Sequence, residues 1–222
     1  TYYQLLNSGL FKKRFWLNLM PDGHRNLNFF FSHNSFIGSF YEIEKIPNID
    51  LPEVCFIGRS NVGKSSLINS ITKNKKLAKI SKTPGRTQSV NLYEIKKMIN
   101  VIDLPGYGYA KVSKLTRDRL SILIETYLHL RINLKMTYLL IDCKVGLKNS
   151  DIDFLDFLAS SNNFFSVILT KIDKCSKKLI EKQAFSLNTL LKQYGSKYKN
   201  IFLSSSKKNL GILDIQKDIY NL

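Results

Sequence analysis

The sequence predicts an α/β fold, a mostly parallel sheet with helices on both faces. Two observations carry this expectation. From Glu53 onward, short apolar runs alternate with segments of helical period, and strands that alternate with helices build parallel crossover units. The first apolar run is also separated from the first helical segment by a glycine-rich loop.

Taken in order, Glu53–Ile57 reads as a buried strand and Lys64–Ile71 as a helix. Val90–Ile95 and Ile99–Leu104 read as two strands joined around Lys96–Lys97, a hairpin-like pair. Leu115–Leu130 places Leu120, Leu123, Ile124, Tyr127 and Leu128 on one helical face. Met136–Ile141 is a strand, and Ser150 caps a helix running to about Ala159. Phe164–Leu169 is a strand and Ser176–Tyr194 a helix ended by Gly195. Ile201–Leu203 is a strand and Gly211–Tyr220 a closing helix.

Residues 1–35 read differently, as an N-terminal extension to a domain spanning 36–222. They are rich in aromatics and Asn, and their charge comes from Lys12, Lys13, Arg14 and Arg25 against Asp22. The chain opens at Thr1, which points to a piece of a longer product. An acid-poor basic leader is either the remnant of an organelle transit peptide or an arm packed through Phe15–Trp16 and Phe29–Phe31. The leader leans modestly toward an organelle rather than a cytoplasm as the compartment.

The 222 residues carry 34 Lys and Arg against 17 Asp and Glu, a formal net charge of +17. Hydrophobic content of 44% with 12% aromatics excludes a wholly disordered basic tail. No run approaches the roughly 20 apolar residues of a spanning helix. The excess charge points to a polyanion or to compositional drift. Its position favours the polyanion: residues 51–150 hold 18 basic and 6 acidic side chains. Cys55, Cys143 and Cys175 have neither disulfide-framework nor metal-ligand spacing, so buried reduced thiols are expected.

The chemistry is concentrated in three stretches. Gly58-Arg59-Ser60-Asn61-Val62-Gly63-Lys64-Ser65 matches the phosphate-loop pattern, between a strand and a helix as that pattern requires. Backbone N–H groups and the helix N-terminus would wrap the β-phosphate. Lys64 would bridge the β- and γ-phosphates and the Ser65 hydroxyl would ligate Mg2+. Asp103-Leu104-Pro105-Gly106 closes a strand. Asp103 can hold a water of the magnesium ion, and Gly106 can turn its N–H to the γ-phosphate. Thr170-Lys171-Ile172-Asp173 follows another strand. The Asp173 carboxylate can accept the ring N–H and the exocyclic amino group of guanine, a pattern that adenine lacks. Lys171 would lie over the base plane, and Ser204, Ser205 and Ser206 would turn backbone N–H groups toward the guanine oxygen.

In this order GRSNVGKSSLIN, KTPGRTQ, DLPGYGYA, LTKID and LSSSKK resemble the EngB/YsxC family of small bacterial-type GTPases, from about Phe36 to the C-terminus. The resemblance implies a Ras-like domain with a six-stranded sheet holding one antiparallel strand, and a role in assembly of the large ribosomal subunit. It implies that Thr87 joins Ser65 on magnesium as the first-switch residue. Gly85 and Arg86 then stand beside it, and Ser60, Asn61, Val62 and Ser66 line the nucleotide. By the same resemblance Lys64, Thr87 and Gly106 serve hydrolysis, and Asn61 either ligates K+ or merely shapes the loop. The chain departs from the family in residues 1–35, and by one extra residue after the serine pair in LSSSKKNLG.

Only sixteen residues follow Ser206, room for one helix, so a single domain is expected; a monomer is expected as well. Any ribosomal RNA contact would then use the domain surface or the arm. Tyr107 stands where a Ras-type enzyme has its water-orienting Gln, which predicts slow turnover. Lys73, Lys75, Lys76, Lys79, Lys82 and Arg86 lead into the first switch. Lys111, Lys114, Arg117 and Arg119 follow the second, interrupted by Asp118. These stretches are either a nucleotide-gated face for the RNA of the large subunit or its precursor, or a solvated lysine surface. Two other functions stay open: a guanine-nucleotide-binding module with negligible hydrolysis, and an ATP-using kinase, which Asp173 disfavours.

Overall fold

The structure, a computed structural model, describes residues 23–79, 88–108, 113–161 and 163–222. Six helices and seven strands follow one another there: α1 Gly23–Ser32, β1 Asn34–Phe40, β2 Glu53–Gly58, α2 Lys64–Ile71, β3 Val90–Ile95, β4 Ile99–Asp103, α3 Lys114–Leu130, β5 Leu134–Asp142, α4 Asn149–Ser160, β6 Phe165–Thr170, α5 Lys177–Leu191, β7 Tyr198–Leu203 and α6 Ile212–Tyr220.

All seven strands share one sheet in the order β1-β3-β4-β2-β5-β6-β7. β2 runs parallel to β4 and β5, and β5–β6 and β6–β7 are also parallel. β3 is antiparallel to both its neighbours, β1 and β4. One strand therefore opposes six, as the resemblance implied, but the sheet has seven strands rather than six. The extra strand is β1, on the edge. Its residues are mostly exposed, so they lack the period-two apolar pattern that marks a strand in sequence; the ladder to β3 holds it in place.

The central strands are buried on both faces and divide their side chains between two cores. Val54, Phe56 and Tyr138 pack with Leu67, Ile68 and Ile71 of α2 and Ile212, Ile215 and Ile219 of α6. Cys55, Ile57 and Leu139 pack with Leu123 and Tyr127 of α3, Leu155 of α4 and Leu187 of α5. Leu27, Phe30 and Phe31 of α1 join the first core. Phe30 meets Tyr220 edge-on, with ring centroids 5.0 Å apart. The aromatic stretch Phe29–Phe31 thus packs through its last two members, whereas Phe15–Trp16 lies outside the described residues.

Helix ends follow local chemistry. Ser113 and Ser176 accept from the backbone N–H of Thr116 and Leu179. α4 begins before Ser150, the expected cap; Asp151 instead accepts the Lys148 N–H at 2.8 Å. Buried Glu53 ties the end of α3 to the sheet, accepting from Tyr127 Oη at 2.7 Å and Arg131 Nε at 3.1 Å. Cys55 and Cys143 are buried free thiols, and burial pushes Cys55 up to about 12.

Asn100 in β4 is fully buried, and neither polar atom of its side chain has a partner. An unmade hydrogen bond of this kind costs about 1–3 kcal/mol. Asn100→Val should therefore raise the melting temperature by several degrees, roughly 2–4 °C per kcal/mol for this size, while leaving GDP affinity unchanged in a titration.

Candidate nucleotide-binding site

The carboxyl end of β2 delivers the phosphate loop against β5. A Cβ on Gly58 would stand 2.7 Å from the Leu140 carbonyl oxygen, so only glycine fits the approach. Gly63 opens α2 with φ +104°, in the left-handed region. Asn61 also has left-handed backbone, φ 63°, which Asn tolerates better than most residues. Ser60 Oγ is buried in this loop without a partner, a donor available to a phosphate oxygen. Ser65 and Ser66 lie in the first turn of α2, whose N-terminus has positive potential.

Lys64 and Asp103 meet as a buried ion pair between α2 and the end of β4. Burial pushes the Lys64 ammonium down to about 7, and the carboxylate pressed against it opposes that shift. Asn91, opposite Asp103 in the β3–β4 ladder, places Nδ2 3.5 Å from Asp103 Oδ2. Asn91 Oδ1 in turn accepts from Ser39 of β1 at 2.5 Å. The strand that the sequence did not reveal therefore abuts the amide that stands beside the Asp103 carboxylate.

Thr170 and Lys171 hold the loop from the other side. Thr170 Oγ1 donates to the Val62 carbonyl at 2.7 Å. Lys171 Nζ reaches the Asn61 carbonyl at 2.5 Å and Asp142 Oδ2 at 2.7 Å. Asp173 Oδ1 accepts from Ser205 Oγ at 2.6 Å. This bond, more than any other influence, holds the Asp173 carboxyl below the usual range. Ser204 is fixed below it, donating from N to the Leu169 carbonyl at 2.8 Å while its own carbonyl accepts from Ile172 N at 3.2 Å. Ser206 follows in the turn, half-buried.

Gly106 and Tyr107 leave β4 alongside the phosphate loop, Arg59 and Tyr107 forming a parallel bridge. Tyr107 Oη donates to Asp151 Oδ1 at 2.7 Å, and Arg59 Nε stands 3.3 Å from the same oxygen. The Tyr107 ring stacks on Phe154 at 4.7 Å. Burial first, and then Asp151, pushes the phenol well above its usual range. The side chain at the water-orienting position is thus tied to α4.

Gly85, Arg86 and Thr87 lie outside the described residues, as do Lys82 and Lys111. Lys64, Asp103, Thr170 and Lys171 are brought together on the loop, and Asp173 joins Ser205 beyond Lys171. Two partners were missed in the sequence. Asp142, level with Thr170 in the β5–β6 ladder, positions Lys171; its signal was an acid directly after the apolar run Tyr138–Ile141. Asp151, gathering Arg59 and Tyr107, had no local signal. Asp142→Asn should weaken GDP binding about tenfold, the weight of one charged hydrogen bond, which calorimetric titration would measure.

The Ser65 hydroxyl and the Asp103 carboxylate are hard oxygen donors of the kind that Mg2+ takes with nucleotide phosphates. Among the described residues no three acid, His or Cys side chains converge, so phosphates and water would complete such a shell.

The chain is similar to known proteins. A family model described as "50S ribosome-binding GTPase" matches residues 53–171. The probable GTP-binding protein EngB of Caulobacter vibrioides is 38% identical over 194 residues, 87% of this chain and 85% of that one. This chain belongs to the EngB family of GTP-binding proteins. The EngB protein of Mycoplasmopsis synoviae is 46% identical over 168 residues, covering 75% of this chain and 87% of its own.

The EngB fold is shared by solved structures. A crystal structure of a probable GTP-binding protein engB superposes with TM-score 0.61 at 24% identity, covering 76% of this chain and 96% of that one. Era in complex with MgGDPNP and nucleotides 1506–1542 of 16S ribosomal RNA gives TM-score 0.61 at 21% identity, covering 78% and 57%. No helix among the described residues is long and apolar enough to cross a membrane.

Proposed function

We propose that this EngB-family chain is a slow, Mg2+-dependent GTPase, a nucleotide-gated switch in assembly of the large ribosomal subunit. The observation that carries the reading is the continuity of the site. Lys171 bridges the phosphate loop to the loop bearing Asp173, whose carboxylate Ser205 presents for a guanine edge. Adenine offers no such pair of donors, which disfavours the ATP-using alternative.

On GTP binding, Lys64 exchanges the Asp103 carboxylate for the β- and γ-phosphates, and Gly106 offers its N–H to the γ-phosphate. Asp103 is thereby freed toward the magnesium side, where Ser65 and Thr87 would also reach. The bound metal would neutralise charge on the phosphates during attack by water. Exchange of the Lys64–Asp103 pair couples γ-phosphate occupancy to the strand that leads into the second switch.

Tyr107 bound to Asp151 supplies no free group to orient water, so intrinsic turnover is slow. The same bond favours a second reading, a guanine-nucleotide-binding module with negligible hydrolysis. Single-turnover GTP hydrolysis with and without large-subunit precursors separates the two. Slow hydrolysis accelerated by the precursor supports the switch; none in either condition supports the module. For Asn61, the left-handed backbone accounts for its identity without a cation. Faster turnover in K+ than in Na+ is required for the potassium role.

Ribosomal RNA is the partner that the basic charge favours. Of the described parts of its two stretches, Lys73–Lys79 lie in the loop after α2 and Lys114–Arg119 in α3, two helices that cover opposite faces of the sheet. Era, of the same fold, is seen with both a GTP analogue and ribosomal RNA, which supports the pairing of nucleotide and RNA. Binding as a monomer is part of the proposal.

A further inference from the structure

The end of the sheet opposite the nucleotide site gathers residues that hydrolysis does not use. β4 runs from Ile99, beside the Lys96–Lys97 turn, to Asp103 in the site, so the turn lies at the far end. Asn34 is the hub there. Its Nδ2 donates to the carbonyls of Phe31 and Thr72, both at 2.7 Å, and its Oδ1 accepts from Asn74 Nδ2 at 2.9 Å. Beside it, Lys96 N donates to the His33 carbonyl at 2.7 Å. The loop after α2 and the β3–β4 turn are thus tied to one point.

The loop itself is fixed from within. Asn69 Nδ2 donates to the carbonyls of Lys75 and Ala78, and Asn69 Oδ1 accepts from Ala78 N at 2.7 Å. Asn74 Oδ1 accepts from Lys76 N at 3.1 Å. The result presents five exposed lysines, Lys73, Lys75, Lys76, Lys96 and Lys97. Lys73, Lys96 and Lys97 have left-handed backbone, φ 55°, 51° and 52°, where Gly or Asn would be less strained. Amid them Phe29 is 52% exposed, with the His33 ring centroid at 4.2 Å and Lys96 Nζ 4.5 Å above its ring. Glu94, opposite Ser35 on the same edge, is half-buried.

We infer that this end is a landing site for unpaired RNA, whose phosphates meet the lysines and one of whose bases stacks on the Phe29–His33 pair. Single strands are bound by this combination of cations and exposed rings, because every base has a face and every linkage a charge. The ammonium of Lys96 already occupies the ring and would turn to a phosphate as a base replaces it. A lipid surface would ask for a broad apolar face; here one ring pair stands among separate charges. The inference rests on the ribosomal reading for the source of the RNA, but not on the switches. Its scaffold is Asn34, Asn69 and Asn74, so the contact does not depend on which nucleotide is bound.

The test is anisotropy of a short labelled single-stranded RNA with the full chain across a salt series, in GDP and in a non-hydrolysable GTP analogue. Lys73→Asn/Lys96→Asn/Lys97→Asn keeps the left-handed turns and removes three charges. Affinity should fall at least about tenfold and the salt slope should become shallower by about 2, from about 0.7 per phosphate contact. Phe29→Ala should weaken binding about fivefold or more without altering the slope. Lys178→Ala/Lys182→Ala, in α5 on the other face of the sheet, should change neither. Wild-type affinity in the triple variant, equal affinity for a duplex, or dependence on the nucleotide would each overturn the inference. GDP-dependent melting of each variant verifies its fold. If these effects appear while large-subunit binding ignores the nucleotide, the landing site stands and the switch reading falls.

Discussion

Asp173→Asn should reduce affinity for GDP by about a thousandfold and confer preference for xanthine nucleotides. The carboxylate that Ser205 holds at 2.6 Å is an acceptor on both oxygens, complementary to the two N–H donors on the guanine edge. Two charge-assisted hydrogen bonds are worth about 4 kcal/mol together, which is roughly that loss. An Asn amide turns one acceptor into a donor. It therefore faces the guanine amino group with an N–H, but suits the carbonyl that xanthine has there. Competition titrations with GDP, XDP and ADP read the result directly. Unchanged GDP affinity would place the base elsewhere and remove the argument for guanine specificity.

The second large effect is expected at the buried pair. Lys64→Met removes the cation for the phosphates and leaves Asp103 buried and unpaired. Breaking a buried pair from one side costs about 3–5 kcal/mol, so the empty variant should melt well below wild type. Lys64→Met/Asp103→Asn should recover most of that stability, while binding GTP at least a hundredfold more weakly. The recovery separates loss of fold from loss of function, and the cycle measures the coupling.

The pair also sets a pH dependence. Burial lowers Lys64 from 10.5 to about 7, so between those values the unfolded chain binds more protons than the empty folded one. Stability of the empty protein from this group rises with pH across that window. A bound phosphate favours the ammonium, so GDP affinity should fall as pH rises above about 7. Melting with and without GDP should show the two trends converging, and parallel curves would remove Lys64 from the phosphate contact.

The central fold was legible because its signals are local. β2, α2, β3 and α3 lie within one or two residues of their expected bounds, since continuous apolar runs and helical stripes declare burial on two faces or one. α1 and β1 were not. The first turn of α1 has no acid, and its stability comes from packing Leu27, Phe30 and Phe31 against α2 and α6. β1 exposes most of its residues as an edge strand. The phosphate loop declared itself because its chemistry is carried by eight consecutive residues. The pairs that tune it are long-range. Lys171 meets Asp142 across 29 residues and Tyr107 meets Asp151 across 44, and no local pattern records such distances.

Those long-range pairs are also what make the switch account more than a nucleotide-binding one. They tie the phosphate loop, the root of the second switch and α4 into one set of hydrogen bonds through Arg59, Tyr107 and Asp151. Co-sedimentation of the full chain with large ribosomal subunits tests the consequence most directly, in a non-hydrolysable GTP analogue, in GDP and without nucleotide. The account predicts that the chain pellets with the subunit in the GTP analogue and is mostly released in GDP and in the empty state. Equal recovery in all three would contradict a nucleotide-gated switch.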